Sequence, residues 1–178
     1  RALDLRDKET EDHTRRVTEL TLRLARHMGL PEVELVHIRR GSTLHDIGKV
    51  AIPDHILFKP GPLTEDEWKI MRRHPLIASE IIKPITYLTP ALPIPRFHHE
   101  RWNGSGYPDG LAGEDIPLAA RLFAFADVYD ALINKRCYKE AWEDKEVLDY
   151  LKSQAGKQFD PEVGEAFLAI LDTIAAIR

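Results

Sequence analysis

An all-α fold is what this sequence predicts. Apolar residues recur at three- and four-residue spacing along most of the chain, and strict apolar-polar alternation of the β type is scarce. Proline, glycine and a Thr-x-x-Glu signature fall between the apolar runs, where helices would start and stop.

Taken in order, the first helix is expected from about Asp7 to Met28, with Val17, Leu20, Leu24 and Met28 on one face and Gly29 as its stop. Pro31 opens a second helix that carries Val33, Val36 and Ile38 and runs into STLHDIGK at 42–49. The stretch IPDHILFKPGPL at 52–63 reads as a loop because of its prolines and Gly61. TEDE at 64–67 has the form of a capping box, so a helix begins at Thr64. Pro75, directly after His74, suits the first turn of the next helix, which ends near Pro84. Four prolines between 84 and 95 break the chain before the helix that presents His98 and His99. A glycine-rich loop follows to about Pro117. LAARLFAFADVYDALI at 118–133 is apolar nearly all round and should be a buried central helix. Asp160 and Pro161 read as N-cap and first position of the closing helix.

With 178 residues, 43% of them hydrophobic, the chain suits one compact domain over 1–178. A formal charge of −4 with acids and bases intermixed argues against a surface that coats DNA or RNA. The single cysteine, Cys137, excludes a disulfide framework and a thiolate zinc cluster and points to the reducing cytoplasm. No apolar run has the length of a membrane span, so no membrane contact is expected from this domain. The start at Arg1 rather than Met leads to the expectation that this is the C-terminal part of a longer polypeptide.

Two segments carry residues that do not suit ordinary burial. In LHDIGK, His45 and Asp46 end an otherwise apolar helix, with Lys49 one turn beyond Asp46. In FAFADVYDAL, Asp127 stands among Phe, Ala and Val. An unpaired buried ion costs at least several kcal/mol, so each carboxylate needs a cation, from a salt bridge or a metal. For either alone the salt bridge is the simpler reading. The histidines change the balance. Of eight, His13, His45, His74, His98 and His99 lie in segments able to face one cavity, while His27, His37 and His55 have ordinary surface or loop settings. Glu9 precedes His13 by four residues and shares its helix face. Five imidazoles with Asp46, Asp127 and Glu9 exceed the roughly four to six ligands one ion takes, which indicates two or three divalent ions. Nitrogen and oxygen donors without thiolate favour Fe, Mn, Co or Ni over a closed structural zinc, with Asp46 the candidate bridging ligand.

These residues resemble a known family. HD in LHDIGK is similar to the HD superfamily of metal-dependent phosphohydrolases. HHERWNGSGYPDGL at 98–111 resembles the signature of its HD-GYP subfamily, cyclic di-GMP phosphodiesterases of bacterial signal transduction. The likeness includes DHTRRV at 12–17, LHDIGKVAIPDHILFKPGPLTEDEW at 44–68, IPLAARLFAFADVYDAL at 116–132, RCYKEAW at 136–142 and FDPEV at 159–163.

The resemblance implies a helical bundle of about seven helices with an extended GYP loop. It implies metal ligation by His13, His45, Asp46, His74, His98, His99 and Asp127, with Glu9 as the extra ligand of three-metal members. Fe and Mn are the favoured ions. Asp46 and Lys49 carry the chemistry in that pattern, Lys49 on a substrate phosphate. Arg136 and Lys139 hold the phosphate and guanine side of the ligand, and Tyr107 stands on the rim. The implied reaction is in-line hydrolysis of cyclic di-GMP to pGpG and on to GMP by a metal-activated water. An upstream sensor or receiver domain is implied as partner, and a homodimer is compatible with the pattern. Two positions depart from it, Cys137 in place of Pro and Asn103 in place of the commoner Asp, which bears on loop shape and substrate fit. Three other readings stay open: an enzyme for a mixed GMP-AMP cyclic dinucleotide or a nucleoside phosphate, a receptor that binds cyclic di-GMP without turnover, and a purely structural interaction module.

Overall fold

The computed structural model of the chain describes residues 11–134 and 142–174. These form α1 (Glu11–His27), α2 (Glu32–Leu44), α3 (Asp54–Leu57), α4 (Glu65–Met71), α5 (His74–Ile82), α6 (Pro93–Phe97), α7 (Leu118–Ile133), α8 (Asp144–Ser153) and α9 (Pro161–Ile174). Among the described residues β pairing is limited to two isolated bridges, Asn103 with Ala112 and Ala155 with Phe159, so the all-α expectation holds. The part of the expected first helix before residue 11 lies outside the described residues.

Local signals account for most boundaries. The end of α1 is closed by Gly29 N–H to the Arg26 carbonyl and Leu30 N–H to the Ala25 carbonyl, both 3.0 Å, the Schellman pattern. Thr64 and Glu67 form the reciprocal box that starts α4: the Thr64 hydroxyl accepts from Glu67 N–H, and the Glu67 carboxylate accepts from Thr64 N–H. The Asp160 carboxylate accepts from Glu162 N–H at 2.8 Å at the start of α9. Helix α8, not anticipated above, begins on a box between Glu143 and Glu146 and buries Val147 and Leu151.

Helix α7 is the axis of the bundle, packed by α1, α6, α8 and α9, while α2 lies on α1 and α6. Its Leu122, Phe123, Phe125 and Ala126 are buried, as are Val17, Leu20, Leu22 and Leu24 of α1. Each large apolar side chain so buried contributes on the order of 1.5–3 kcal/mol. Val33 and Val36 are exposed, and Leu35 and Ile38 face α1. The apolar stripe of α2 is therefore offset by about one residue from the valines. Leu44 and Ile47, on either side of the His-Asp pair, are half-buried.

Candidate metal centre

Five elements deliver their ends or one face to a single cavity. Helix α2 stops at Leu44, and the chain tightens into a 3-10 turn over Ile47–Ala51, so His45 and Asp46 sit at the change of pitch. Gly48 permits the next step: a Cβ there would collide with the His74 carbonyl oxygen, so only glycine lets the start of α5 press against this turn. That contact brings His74 beside Asp46. Helix α6 ends at Phe97 and leaves His98 and His99 on the exit. His13 comes from α1 and Asp127 from α7.

Backbone carbonyls fix the direction of three imidazoles. Nδ1 of His45 lies 2.8 Å from the Ser42 carbonyl, Nδ1 of His74 2.8 Å from Met71 and Nδ1 of His98 3.0 Å from Ile94. A carbonyl only accepts, so Nδ1 carries the hydrogen in each ring, and in the neutral form of the ring the lone pair is on Nε2, toward the cavity. That is the tautomer a metal ligand needs. Phe123 floors the cluster, its ring 4.8 Å from His45 and 5.9 Å from His98.

Asp46 divides its carboxylate between two sides. Oδ1 faces His74 Nε2 at 3.3 Å and His98 Nε2 at 3.7 Å, while Oδ2 faces His45 Nε2 at 3.0 Å and Lys49 Nζ at 2.7 Å. One ligand atom from each of Asp46, His74, His98 and His99 falls within 4.8 Å of the others. Burial works to raise the Asp46 pKa, but His45 and Lys49 outweigh it and hold the group well below the ordinary carboxylate range. Burial pushes His74 down to about 4 against the pull of Asp46. Burial, with His98 and His74 alongside, also lowers His99 well below its usual value. The cavity thus presents His74 and His99 as neutral imidazoles beside an ionised carboxylate.

The second side is built on His13. Its Nε2 lies 3.3 Å from Asp127 Oδ1, and its Nδ1 lies 2.7 Å from Asp130 Oδ2. Asp130 also takes Arg16 through Nε at 2.6 Å and Nη2 at 3.0 Å, and Asn134 Nδ2 at 2.9 Å. Burial would raise both carboxylates, but the proximity of His13 lowers Asp127, and the hydrogen bonds from His13 and Arg16 lower Asp130. Asp127 therefore finds an imidazole in place of a salt-bridge cation, and Asp130 takes the arginine.

The 98–111 loop is folded back on its own start. Glu100 is buried and accepts the backbone N–H groups of Asp109, Gly110 and Leu111 at 2.7, 3.0 and 3.1 Å. Gly106 backs onto the same stretch: a Cβ there would lie 2.6 Å from the His99 carbonyl oxygen and closer still to Arg101 N. Tyr107 N–H donates to that carbonyl at 3.2 Å, and the Tyr107–Pro108 peptide is cis. The Tyr107 ring stacks on His99 at 4.7 Å and 21°; burial, then the Asp46 charge, raises its phenol to about 12. The loop is clasped from α9's side by Trp102 N–H to Gln158 and Asn103 N–H to Lys157. Asn103 Oδ1 accepts from the Ser105 backbone and hydroxyl at 3.1 and 2.7 Å, which an aspartate would do equally, so this departure from the family pattern leaves the turn intact.

His13, His45, Asp46, Lys49, His74, His98, His99, Tyr107 and Asp127 are thus brought to one cavity. Glu9, Arg136, Lys139 and Cys137 lie outside the described residues. His27 and His55 are exposed and His37 is half-buried, as expected of bystanders. Asp130, Arg16 and Glu100 were not singled out from the sequence. The i,i+3 spacing of Asp127 and Asp130 on an apolar helix was the available signal. Buried oxygens on Asp46 and Asp127, both Oδ1, accept no well-directed hydrogen bond, and this fits a cation held among inward-facing Nε2 atoms.

The HD domain family model matches residues 1–163. A cyclic di-GMP phosphodiesterase response regulator, RpfG of Xanthomonas campestris pv. campestris, is 46% identical over 94% of this chain and 45% of its own length. A 3'3'-cGAMP-specific phosphodiesterase 2 of Vibrio cholerae is 45% identical over 99% of this chain and 34% of its own. The chain therefore spans less than half the length of these curated relatives. Among solved structures, a cyclic GMP-AMP specific phosphodiesterase of V. cholerae superposes with a TM-score of 0.71 at 18% identity, over 95% of this chain and 46% of that one. This last likeness is one of fold.

Proposed function

The chain belongs to the HD domain family, and on that premise we propose that it is a metal-dependent phosphodiesterase hydrolysing cyclic di-GMP to pGpG and then to GMP. The observation that carries this reading is the carboxylate of Asp46 shared between His74 and His98 on one side and His45 on the other, with the Nε2 atoms facing it. Relatives over 40% identical are named cyclic di-GMP phosphodiesterases.

The proposed ligands are His13, His45, Asp46, His74, His98, His99 and Asp127, around two divalent ions, Fe or Mn, with Asp46 between them. Glu9, outside the described residues, would add a third. When bound, the ions would supply an acidified water as nucleophile and charge to hold the phosphate oxygens. Lys49, already 2.7 Å from Asp46, stands at the edge of the cluster, where its ammonium would meet negative charge gathering on phosphorus. Phe123 and the Tyr107–His99 stack keep bulk water from two sides of the cavity. Arg136 and Lys139 are the proposed contacts to the rest of the ligand, in a domain working in the cytoplasm.

The test is to purify the protein anaerobically, quantify its metals and incubate it with cyclic di-GMP while sampling for pGpG and GMP. Both products in order support the reading; tight binding with no product makes the domain a receptor. Glu9→Ala should remove one ion and slow the second cleavage more than the first. The 45% identity to a 3'3'-cGAMP-specific enzyme favours one second reading, a mixed GMP-AMP substrate, which direct competition between the two dinucleotides decides.

A further inference from the structure

On the rim beside Tyr107 there is an arginine that neither the ligand set nor the sequence pattern above uses. Arg72 is exposed, and its guanidinium carbon lies 5.4 Å from the Tyr107 ring centroid and 5.8 Å from that of Trp68. Among the described residues no carboxylate or carbonyl accepts from its side chain, in contrast to Arg16, Arg96 and Arg121, each of which holds an aspartate at 2.6–2.8 Å. Trp68 is 44% exposed although it is the largest side chain on α4, whose residues are otherwise polar or partly exposed. Tyr107 in turn stacks on His99, one of the four residues of the densest part of the cluster. Tyr107 therefore stands one ring away from the metal cavity, with the planar cation of Arg72 beside it and Trp68 beyond Arg72.

We propose that Trp68, Arg72 and Tyr107 form a nucleobase platform that reads guanine, resting on the reading of the cavity as a cyclic dinucleotide site. Stacking on aromatic and guanidinium faces accepts any base, since every base has a π face. The donors decide among bases. A guanidinium fork matches the adjacent O6 and N7 acceptors of guanine, whereas adenine offers N7 beside an amino donor that the fork would oppose. Arg72 would thus distinguish guanine-bearing dinucleotides from cyclic di-AMP, with Trp68 supplying affinity without selection.

The test has two arms on the full metal-loaded protein. In turnover, Arg72→Ala should raise KM for cyclic di-GMP about tenfold, raise that for 3'3'-cGAMP through its one guanine and change that for cyclic di-AMP least, while kcat for cyclic di-GMP holds. Arg72→Lys, which has no fork, should not restore the preference. Trp68→Ala should weaken all three substrates together. A uniform loss in Arg72→Ala would make the arginine a phosphate contact and overturn the proposal. In the second arm, GMP and AMP are titrated against tryptophan fluorescence, with Trp68→Phe identifying the responding residue. Tighter quenching by GMP, lost in Arg72→Ala, supports the platform even if wild type hydrolyses no cyclic dinucleotide, in which case only the reaction assignment falls. Equal quenching by GMP and AMP, or none from Trp68, overturns the platform while leaving hydrolysis standing.

Discussion

His13 Nδ1 lies 2.7 Å from Asp130 Oδ2, so the ring that faces Asp127 is oriented from behind by a second carboxylate on the same helix. A partner of this kind fixes the tautomer and raises ring basicity, and its loss typically costs a metal about 10–100-fold in affinity. Asp130→Asn keeps the volume and one acceptor but removes the charge. The expected result is metal affinity down by about tenfold or more on the His13 side, measured by chelator competition, with a lower melting temperature because Arg16 loses its anionic partner. Unchanged affinity would make Asp130 a structural pair to Arg16 alone.

Asp46 and Lys49 share one contact of 2.7 Å yet are predicted to fail differently. Asp46→Ala removes the carboxylate that both groups of imidazoles face, so metal content and turnover should be lost together, with circular dichroism confirming the helices. Lys49→Met removes only the ammonium. Metals should stay while kcat falls by roughly 10²-fold, the scale of one lost transition-state donor. If Lys49→Met sheds metal, its role is to hold Asp46 ionised and in place.

How much of this was legible depended on whether the signal was local. Thr64 with Glu67, Gly29, Pro75 and Asp160–Pro161 act within one helical turn, and each marked its boundary correctly. The five cavity histidines were recognisable because imidazole is uncommon in apolar helix ends. The buried face of α2 was not legible because Val33 and Val36 are apolar whether or not a neighbour covers them, and only packing on α1 selects Leu35 and Ile38. Asp130 and Arg16 are 114 residues apart in sequence, so their pairing could not be read locally. Glu100 was visible in HHE, but its task is to gather N–H groups nine to eleven residues ahead, which spacing does not announce.

Gly106→Ala tests whether loop geometry, apart from ligation, sets activity. The added Cβ would meet backbone atoms of residues 99–101, which cannot rotate away, so the loop must lift and carry Tyr107 off His99. Overpacking of this sort costs about 1–3 kcal/mol. Metal content should persist, since the loop supplies no ligand beyond His99, while kcat/KM falls mainly through KM. Wild-type kinetics would show that the rim takes no part in binding.

Acid sensitivity of the metal-free protein follows from the imidazoles. His74 is held at about 4 in the folded chain against an ordinary 6.5, chiefly by burial, and His99 is lowered in the same direction. Between those values the unfolded chain binds protons that the folded chain refuses, so stability falls as pH drops through 6.5 and continues to fall until the folded pKa is passed. Each such histidine contributes a slope of up to about 1.4 kcal/mol per pH unit. The depressed carboxylates of Asp46, Asp127 and Asp130 add a further loss only at lower pH, below their ordinary value of 3.8. Urea melts of chelator-treated protein at several pH values between about 7 and 4.5 should show the decline, and His74→Gln should flatten it. Loaded protein should show a steeper decline over the same range, because bound ions also require neutral imidazole and are expelled by the same protons. A flat profile for the metal-free chain would mean that the cavity admits enough water to charge its histidines, and that the dry imidazole cluster described above is not the state in solution.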